Sequence, residues 1–267
     1  MTEERFKATK NIQDFDINQI KSEFTDLGFS ERIWKFYFIN ALGLIGVKRM
    51  NNIPYATHPT RMAMNCQWLC PPEHAEDASI CALMHDYLEE TGGISKISVA
   101  KMRENIPNES IAIHAAVFLS EPMIDYLSLG PTSDLSKLKR VAYVLQAHDI
   151  LDCHRYPALA NASLADKLDN LHDLEYLTKK SDSELRKRKI AERLAFFSYT
   201  LAKIGPFAKG CITEILQEAL AHKTSELSRE DLVQEEIASL HSIENRAINL
   251  MRQMILDFHQ TIDLARL

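Results

Sequence analysis

His85, Asp86, Glu89 and Glu90 stand close together in the stretch Cys81-Ala82-Leu83-Met84-His85-Asp86-Tyr87-Leu88-Glu89-Glu90-Thr91-Gly92. A helix turns once per ~3.6 residues, which places His85 over Glu89 and Asp86 over Glu90. Two side chains able to ligate a metal would then lie one turn ahead of two carboxylates. The apolar run from Cys81 to Met84 suggests that this helix is sunk in a core. Burying His, Asp and two Glu together is costly unless a cation or a bound ligand compensates. An amphipathic helix with its acidic turn in solvent is the plainer account, and on this stretch alone both remain open.

Other polar groups can be turned inward with these. His58 stands in Pro54-Tyr55-Ala56-Thr57-His58-Pro59, at the mouth of a helix whose first turn tolerates Pro59. Asp166 and Asn170 share a face at i, i+4 in Leu164-Ala165-Asp166-Lys167-Leu168-Asp169-Asn170-Leu171, beside the apolar positions Leu164, Leu168 and Leu171. Taken singly, His58 reads as structural and Asp166 as a surface residue. Together, His58, His85, Asp86 and Asp166 make a mixed nitrogen and oxygen set. Such a set suits Mn²⁺, Fe²⁺, Co²⁺ or Zn²⁺ better than an all-oxygen calcium cage. Four protein ligands leave an octahedral ion two positions for water and a substrate oxygen.

The elements that must position these groups read as helices. Eight Gly and nine Pro in 267 residues are few, which favours long helices over short strands joined by tight turns. Residues 1–30 read as an N-terminal extension, with a frayed start and a short helix. Ser30 caps a helix running to about Leu44, and residues 47–54 read as a loop. A helix begins around Thr57, and another runs from Glu73 through Glu90 until Gly92-Gly93 stops it. Shorter helices are expected at about 95–105 and 108–119, then an irregular connection over 121–133. Helices follow at 134–151, 158–177, 191–205 and 213–222. The basic run from Lys179 to Arg193 reads as a solvated helical face. Ser228-Arg229-Glu230-Asp231 has capping-box spacing, and one long helix is expected from there to about residue 266. Its apolar line, Leu240, Ile243, Ala247, Leu250, Met254, Phe258 and Ile262, either closes the core or faces a second copy in a homodimer. No repeat or linker divides the chain, so a single all-α unit is expected.

Composition narrows the functional classes. A formal charge of −6, from 31 basic and 37 acidic residues, argues against a general nucleic-acid partner while leaving room for a local basic pocket. No apolar run approaches the ~20 residues of a membrane span, and the N-terminus is not a secretory signal. Five cysteines without framework spacing fit a reducing cytoplasm. Cys66, Cys70 and His74 recur every four residues, but Pro71-Pro72 should end the helix before His74 joins, so these cysteines read as small buried apolar residues.

With these motifs in order, the chain resembles the HD superfamily of metal-dependent phosphohydrolases, and most closely the hydrolase domain of RelA/SpoT homologues. Pro54 to Pro59 is similar to that family's Pro-Tyr-x-x-His-Pro. Ala82 to Thr91 is similar to its Ala-x-Leu-His-Asp-x-x-Glu-Asp-Thr, and Leu164 to Asn170 to its Leu-Ala-Asp-Arg-Leu-His-Asn. Ala191-Glu192 and Leu201 to Gly205 resemble the family's closing helices. The resemblance implies an HD-domain helical bundle of about ten or more helices over residues 31–220, with 221–267 as a helical extension packed on the same unit. It implies a stand-alone enzyme that removes the 3′-pyrophosphate of guanosine tetra- or pentaphosphate. Carried over by position, His58, His85, Asp86 and Asp166 would hold Mn²⁺. Glu89 and Glu90 would orient or deprotonate the attacking water, while Arg49, with Lys48 beside it, and Asn170 would touch the nucleotide. A divalent ion lowers the pKa of its water from 15.7 to as little as ~7, which makes such a carboxylate a competent base.

The chain departs from the pattern at several positions. Glu90 replaces an Asp, Met50 the basic residue after Arg49, Ser163 a common Lys, Asp169 a His and Asp173 a Thr. Losing basic groups and gaining acidic ones weakens the expectation of a polyphosphate substrate more than that of the metal. Alternative nucleotides are therefore NADPH, which animal relatives of the small family members accept, a dNTP, a nucleoside monophosphate or a cyclic nucleotide. A nucleotide-binding sensor on a degenerate hydrolase fold is a further alternative, as is a metal-free helical partner-binding protein.

Overall fold

The structure, a computed structural model, describes residues 29–43, 47–49, 54–90, 104, 109–119, 135–154, 156–174, 183–227 and 229–261. Its described residues form an all-α bundle without strands, as the glycine-poor, periodic sequence predicts. An isolated antiparallel bridge joins Lys48 to Pro54. The expected helices at residues 1–28 and 95–105, and the connection at 121–133, lie outside the described residues or nearly so.

Three helices make the centre: α1 (Glu31–Gly43) lies outside them, and the central ones are α2 (Thr57–Leu69), α3 (Pro72–Met84) and α7 (Pro157–Asp173). Between α3 and α7 in the chain come α4 (Tyr87–Glu90), α5 (Ser110–Phe118) and α6 (Leu135–His154). A second layer is built from α8 (Ser183–Ile204), α9 (Ile212–Leu227), α10 (Glu230–Ser242) and α11 (Glu244–Thr261). Helix α7 packs on α2, α3 and α9, while α8 packs on α6, α9 and α10, and α11 lies along α6. Helices α1 and α5 flank α3.

Local chemistry fixes the central helices. Pro72 and Pro157 open α3 and α7, where a missing amide donor costs nothing. Thr57 donates its hydroxyl to the Pro54 carbonyl at 2.7 Å, and Ser30 accepts the Ile33 amide at 3.3 Å as the expected cap. Helices α2 and α7 are buried on nearly every side, with Met62, Ala63, Cys66, Leu164, Ala165 and Leu168 all closed to solvent. Polar residues on such helices have no route to water and must find partners inside.

The chain closes α9 onto the centre through one tight passage. Gly210 adopts φ +84°, and a Cβ there would meet the Leu69 carbonyl oxygen at 2.2 Å. That close approach lets the Cys211 amide bond the Leu69 carbonyl at 2.9 Å, while the Lys209 amide bonds Asn161 Oδ1 on α7 at 2.8 Å.

Two expected helices are interrupted. The span from Glu73 to Glu90 is not one helix: α3 ends at Met84, His85 and Asp86 form a turn, and only then does α4 begin. His85 Nδ1 bonds the Ala82 carbonyl at 2.8 Å, and Asn40 of α1 donates to the Leu83 carbonyl. These side chains satisfy the carbonyls that an unbroken helix would give to its own next turn. The expected long C-terminal helix also divides, with Ile243 at φ −99°, ψ 0° and its amide turned to Leu240 at 3.3 Å. Leu240, Ile243, Ala247 and Leu250 of its apolar line are buried within this fold; the side chains of Met254 and Phe258, and all of Ile262, lie outside the described residues. At the start of α10, Arg229 occupies the cap position and engages Asp231 at 3.0 Å, while Ser228 lies outside the described residues.

Candidate metal centre

His58 arrives from the first turn of α2, His85 and Asp86 from the turn after α3, and Asp166 from the middle of α7. One ligand atom from each of His58, His85 and Asp86 falls within 4.8 Å of the other two, the one such grouping among the described residues. Asp86 Oδ2 lies 2.8 Å from His85 Nε2 and 3.8 Å from His58 Nε2. Asp166 Oδ1 stands 3.3 Å from His58 Nε2 and 3.9 Å from His85 Nε2. Three of the four expected ligands thus form a tight cluster, with the fourth on its rim.

The second nitrogen of each ring decides what the first can do. His85 Nδ1 faces the Ala82 carbonyl, an acceptor only, so Nδ1 carries a proton and Nε2 turns to the cluster. His58 Nδ1 faces Asp169 Oδ2 at 2.6 Å, which again leaves Nε2 for the cluster. Histidines that ligate metals are held in this way, with the remote N–H on a carbonyl or carboxylate. Two imidazole nitrogens, one from α2 and one from the turn after α3, and a carboxylate oxygen therefore form a donor set able to hold a divalent metal ion.

The electrostatics are those of compensated burial. Burial pushes the His85 pKa down, but Asp86 and Asp166 outweigh it and raise it from 6.5 to about 9. Asp86 is penalised by burial and still held below the ordinary carboxylate range by His85 and then His58. Asp166 is likewise pushed up by burial, and Lys167, His58 and His85 carry it well below that range. A cation here would replace protons and ammonium groups that the carboxylates already attract.

No family model matches the chain, and neither the curated proteins nor the solved structures yield a match.

The centre opens into a cavity of about 480 Å³. Arg49, Arg140, Lys167 and Arg193 line it, drawn from the loop before α2 and from α6, α7 and α8. The Arg140 guanidinium and the Lys167 ammonium both lie over the Phe196 ring, at 5.7 and 5.6 Å. Arg49 is in the wall, but its Nη2 bonds Asn170 Oδ1 at 2.7 Å and lies 3.1 Å from Asp173. Asn170 also lines the cavity, donating to Asp166, which Lys167 reaches as well. Lys48 is exposed and does not belong to the lining. Glu89 and Glu90 are in α4, directly after the ligand turn, with their side chains outside the described residues.

Four participants escaped the sequence reading. Arg61 and Asp169 form a buried pair beneath His58, with Arg61 Nε 2.6 Å from Oδ1 and Nη2 2.8 Å from Oδ2. Burial opposes its ionisation, yet Arg61 and His58 hold Asp169 far below the ordinary carboxylate range. Asp169 had registered only as a departure from the family pattern. Arg193 belongs to the basic run expected to form a solvated face, Arg140 carries no expectation, and nothing in the local spacing of either marks it as a cavity residue. Cys66 and Cys70 are buried as expected, as is Cys81, while Cys211 is exposed; none of these four is in a disulfide.

Proposed function

We propose that the chain is a metal-dependent phosphohydrolase acting on a nucleotide, with Mn²⁺ as its ion, that removes the 3′-pyrophosphate of guanosine tetra- or pentaphosphate. One observation carries this reading: two imidazole Nε2 atoms and the Asp86 carboxylate converge at the floor of a cavity whose wall is cationic. A divalent ion held there would acidify a water molecule and polarise a phosphoryl oxygen.

The chain's own residues supply the rest. His58, His85 and Asp86 would hold the ion, with Asp166 completing the set from α7. Arg140 and Arg193 offer charge-assisted hydrogen bonds to phosphate oxygens, offsetting the basic positions lost relative to the family pattern, while Lys167 is held by Asp166. Glu89 and Glu90, the next carboxylates after the ligand turn, are assigned the proton of the attacking water, as the resemblance implies. Substrate would bind through its phosphates in the cationic wall while its scissile phosphorus sits over the ligand cluster.

A second reading keeps the metal and changes the nucleotide to NADPH, a dNTP or a nucleoside monophosphate. Arg49 favours it, because the residue expected to contact the nucleotide is already bound to Asn170 and Asp173. The test is release of product from a nucleotide panel in added Mn²⁺. Guanosine tetraphosphate converted to the diphosphate and pyrophosphate supports the first reading. Guanosine tetraphosphate left intact beside a hydrolysed competitor supports the second, and no hydrolysis of any nucleotide with any divalent metal contradicts both.

A further inference from the structure

Helix α7 touches His58 at both ring nitrogens. Asp166 Oδ1 is 3.3 Å from Nε2, and Asp169 Oδ2, three residues on and therefore on the same face, is 2.6 Å from Nδ1. The imidazole is fully buried, so its orientation is set by these two contacts and by packing. Asp169 is itself closed to solvent and is gripped by the fork of Arg61, through Nε to one oxygen and Nη2 to the other. A bidentate guanidinium fixes the plane of a carboxylate as a single ammonium contact does not. Arg49 Nη1 approaches Asp169 Oδ2 at 3.4 Å, and Asp173 Oδ2 takes Arg49 Nη2 at 3.1 Å and Arg61 Nη2 at 3.7 Å. Two cations and two carboxylates thus close on one another beneath the imidazole.

We infer that Asp169, clamped by Arg61, is a positioning residue that locks His58 in the Nδ1–H tautomer and aims Nε2 at the metal centre. This rests on the reading of His58 as a metal ligand. Arg61 lies three residues after His58 on α2 and Asp169 three after Asp166 on α7, so each ligand-bearing helix contributes one member of the clamp. The pair also welds the two helices together at the height of the site. A structural ion pair alone would have no reason to present its carboxylate oxygen to the ring nitrogen remote from the cluster.

The wild-type chain without metal offers the first test, through the ¹⁵N shifts of the His58 ring assigned with His58→Gln. An Nδ1–H imidazole, or a doubly protonated ring keeping a hydrogen-bonded Nδ1–H, is expected; an Nε2–H neutral tautomer overturns the inference. Mn²⁺ titration calorimetry on the full chain gives the second. Asp169→Asn, which keeps shape and removes charge, is expected to weaken Mn²⁺ by ~10–100-fold, the usual loss when a partner behind a ligand is altered. Arg61→Met should weaken it comparably, and Arg61→Lys should recover part of the loss. Affinity within twofold of wild type in folded Asp169→Asn and Arg61→Met overturns the inference. His58→Ala separates the two readings: if it leaves Mn²⁺ binding unchanged, the metal assignment of His58 fails. If it abolishes binding while the clamp variants do nothing, only the positioning role fails.

Discussion

Asp86 Oδ2 lies 2.8 Å from Nε2 of His85, the residue just before it in the chain. They meet at the turn after α3, where the His85 ring caps the Ala82 carbonyl. Replacing Asp86 with Ala is therefore expected to reduce divalent-metal affinity by more than ~100-fold, exceeding the loss typical of a residue behind the ligands. Asp166→Ala, on the rim, is expected to lose less affinity. Calorimetric titration with Mn²⁺ checks the order, and a larger loss in Asp166→Ala would reverse it.

Proton release follows from the same contact. With its pKa raised to about 9, His85 is protonated in the metal-free protein near neutrality. That raised value stabilises the fold fully below 6.5, and the contribution is lost as pH rises through 9. Metal binding needs the neutral ring, so affinity should increase from pH 7 toward 9, and binding near neutrality should expel about one proton. Calorimetry at one pH in buffers of different ionisation enthalpy measures this number. Zero proton release would show that His85 is not displaced from its proton by the ion.

The cationic wall makes a kinetic prediction. If Arg140 and Arg193 receive substrate phosphates, changing either to Ala should raise KM about tenfold or more, with a smaller change in kcat. Raising the salt concentration should weaken substrate binding in the wild type and less so in these variants. Steady-state kinetics on the active nucleotide checks both, and unchanged KM in the double variant would remove the wall from the binding site.

Gly210 tests the fold apart from the chemistry. Its φ of +84° and the 2.2 Å approach of a Cβ to the Leu69 carbonyl leave no room for Ala. Gly210→Ala should cost about 2 kcal/mol or more of stability, with Mn²⁺ affinity of the folded fraction unchanged. Urea unfolding measures the first and calorimetry the second. Full stability in this variant would contradict the closure of α9 onto the end of α2.

How much of this was legible in the sequence depends on how local each signal is. Helical class came from few glycines and a clear apolar period, and the ligand residues from three short motifs. The break after Met84 was not legible, because it depends on a side chain taking a backbone carbonyl and on Asn40 arriving from α1. Arg61 and Asp169 carried a faint signal, since each lies three residues beyond a ligand, but their meeting is a property of two helices packed together. Arg193 could not be separated from its basic neighbours, because only the packing of α8 decides which of them turns to the cavity.

His58, His85, Asp86 and Asp166 are expected to share one divalent cation. Mn²⁺ titration of the full chain beside its His58→Ala, His85→Ala and Asp86→Ala variants checks this. One ion per chain in the wild type and its loss in each variant is the predicted result. A chain that binds no divalent transition metal, or whose binding survives all three substitutions, would contradict it.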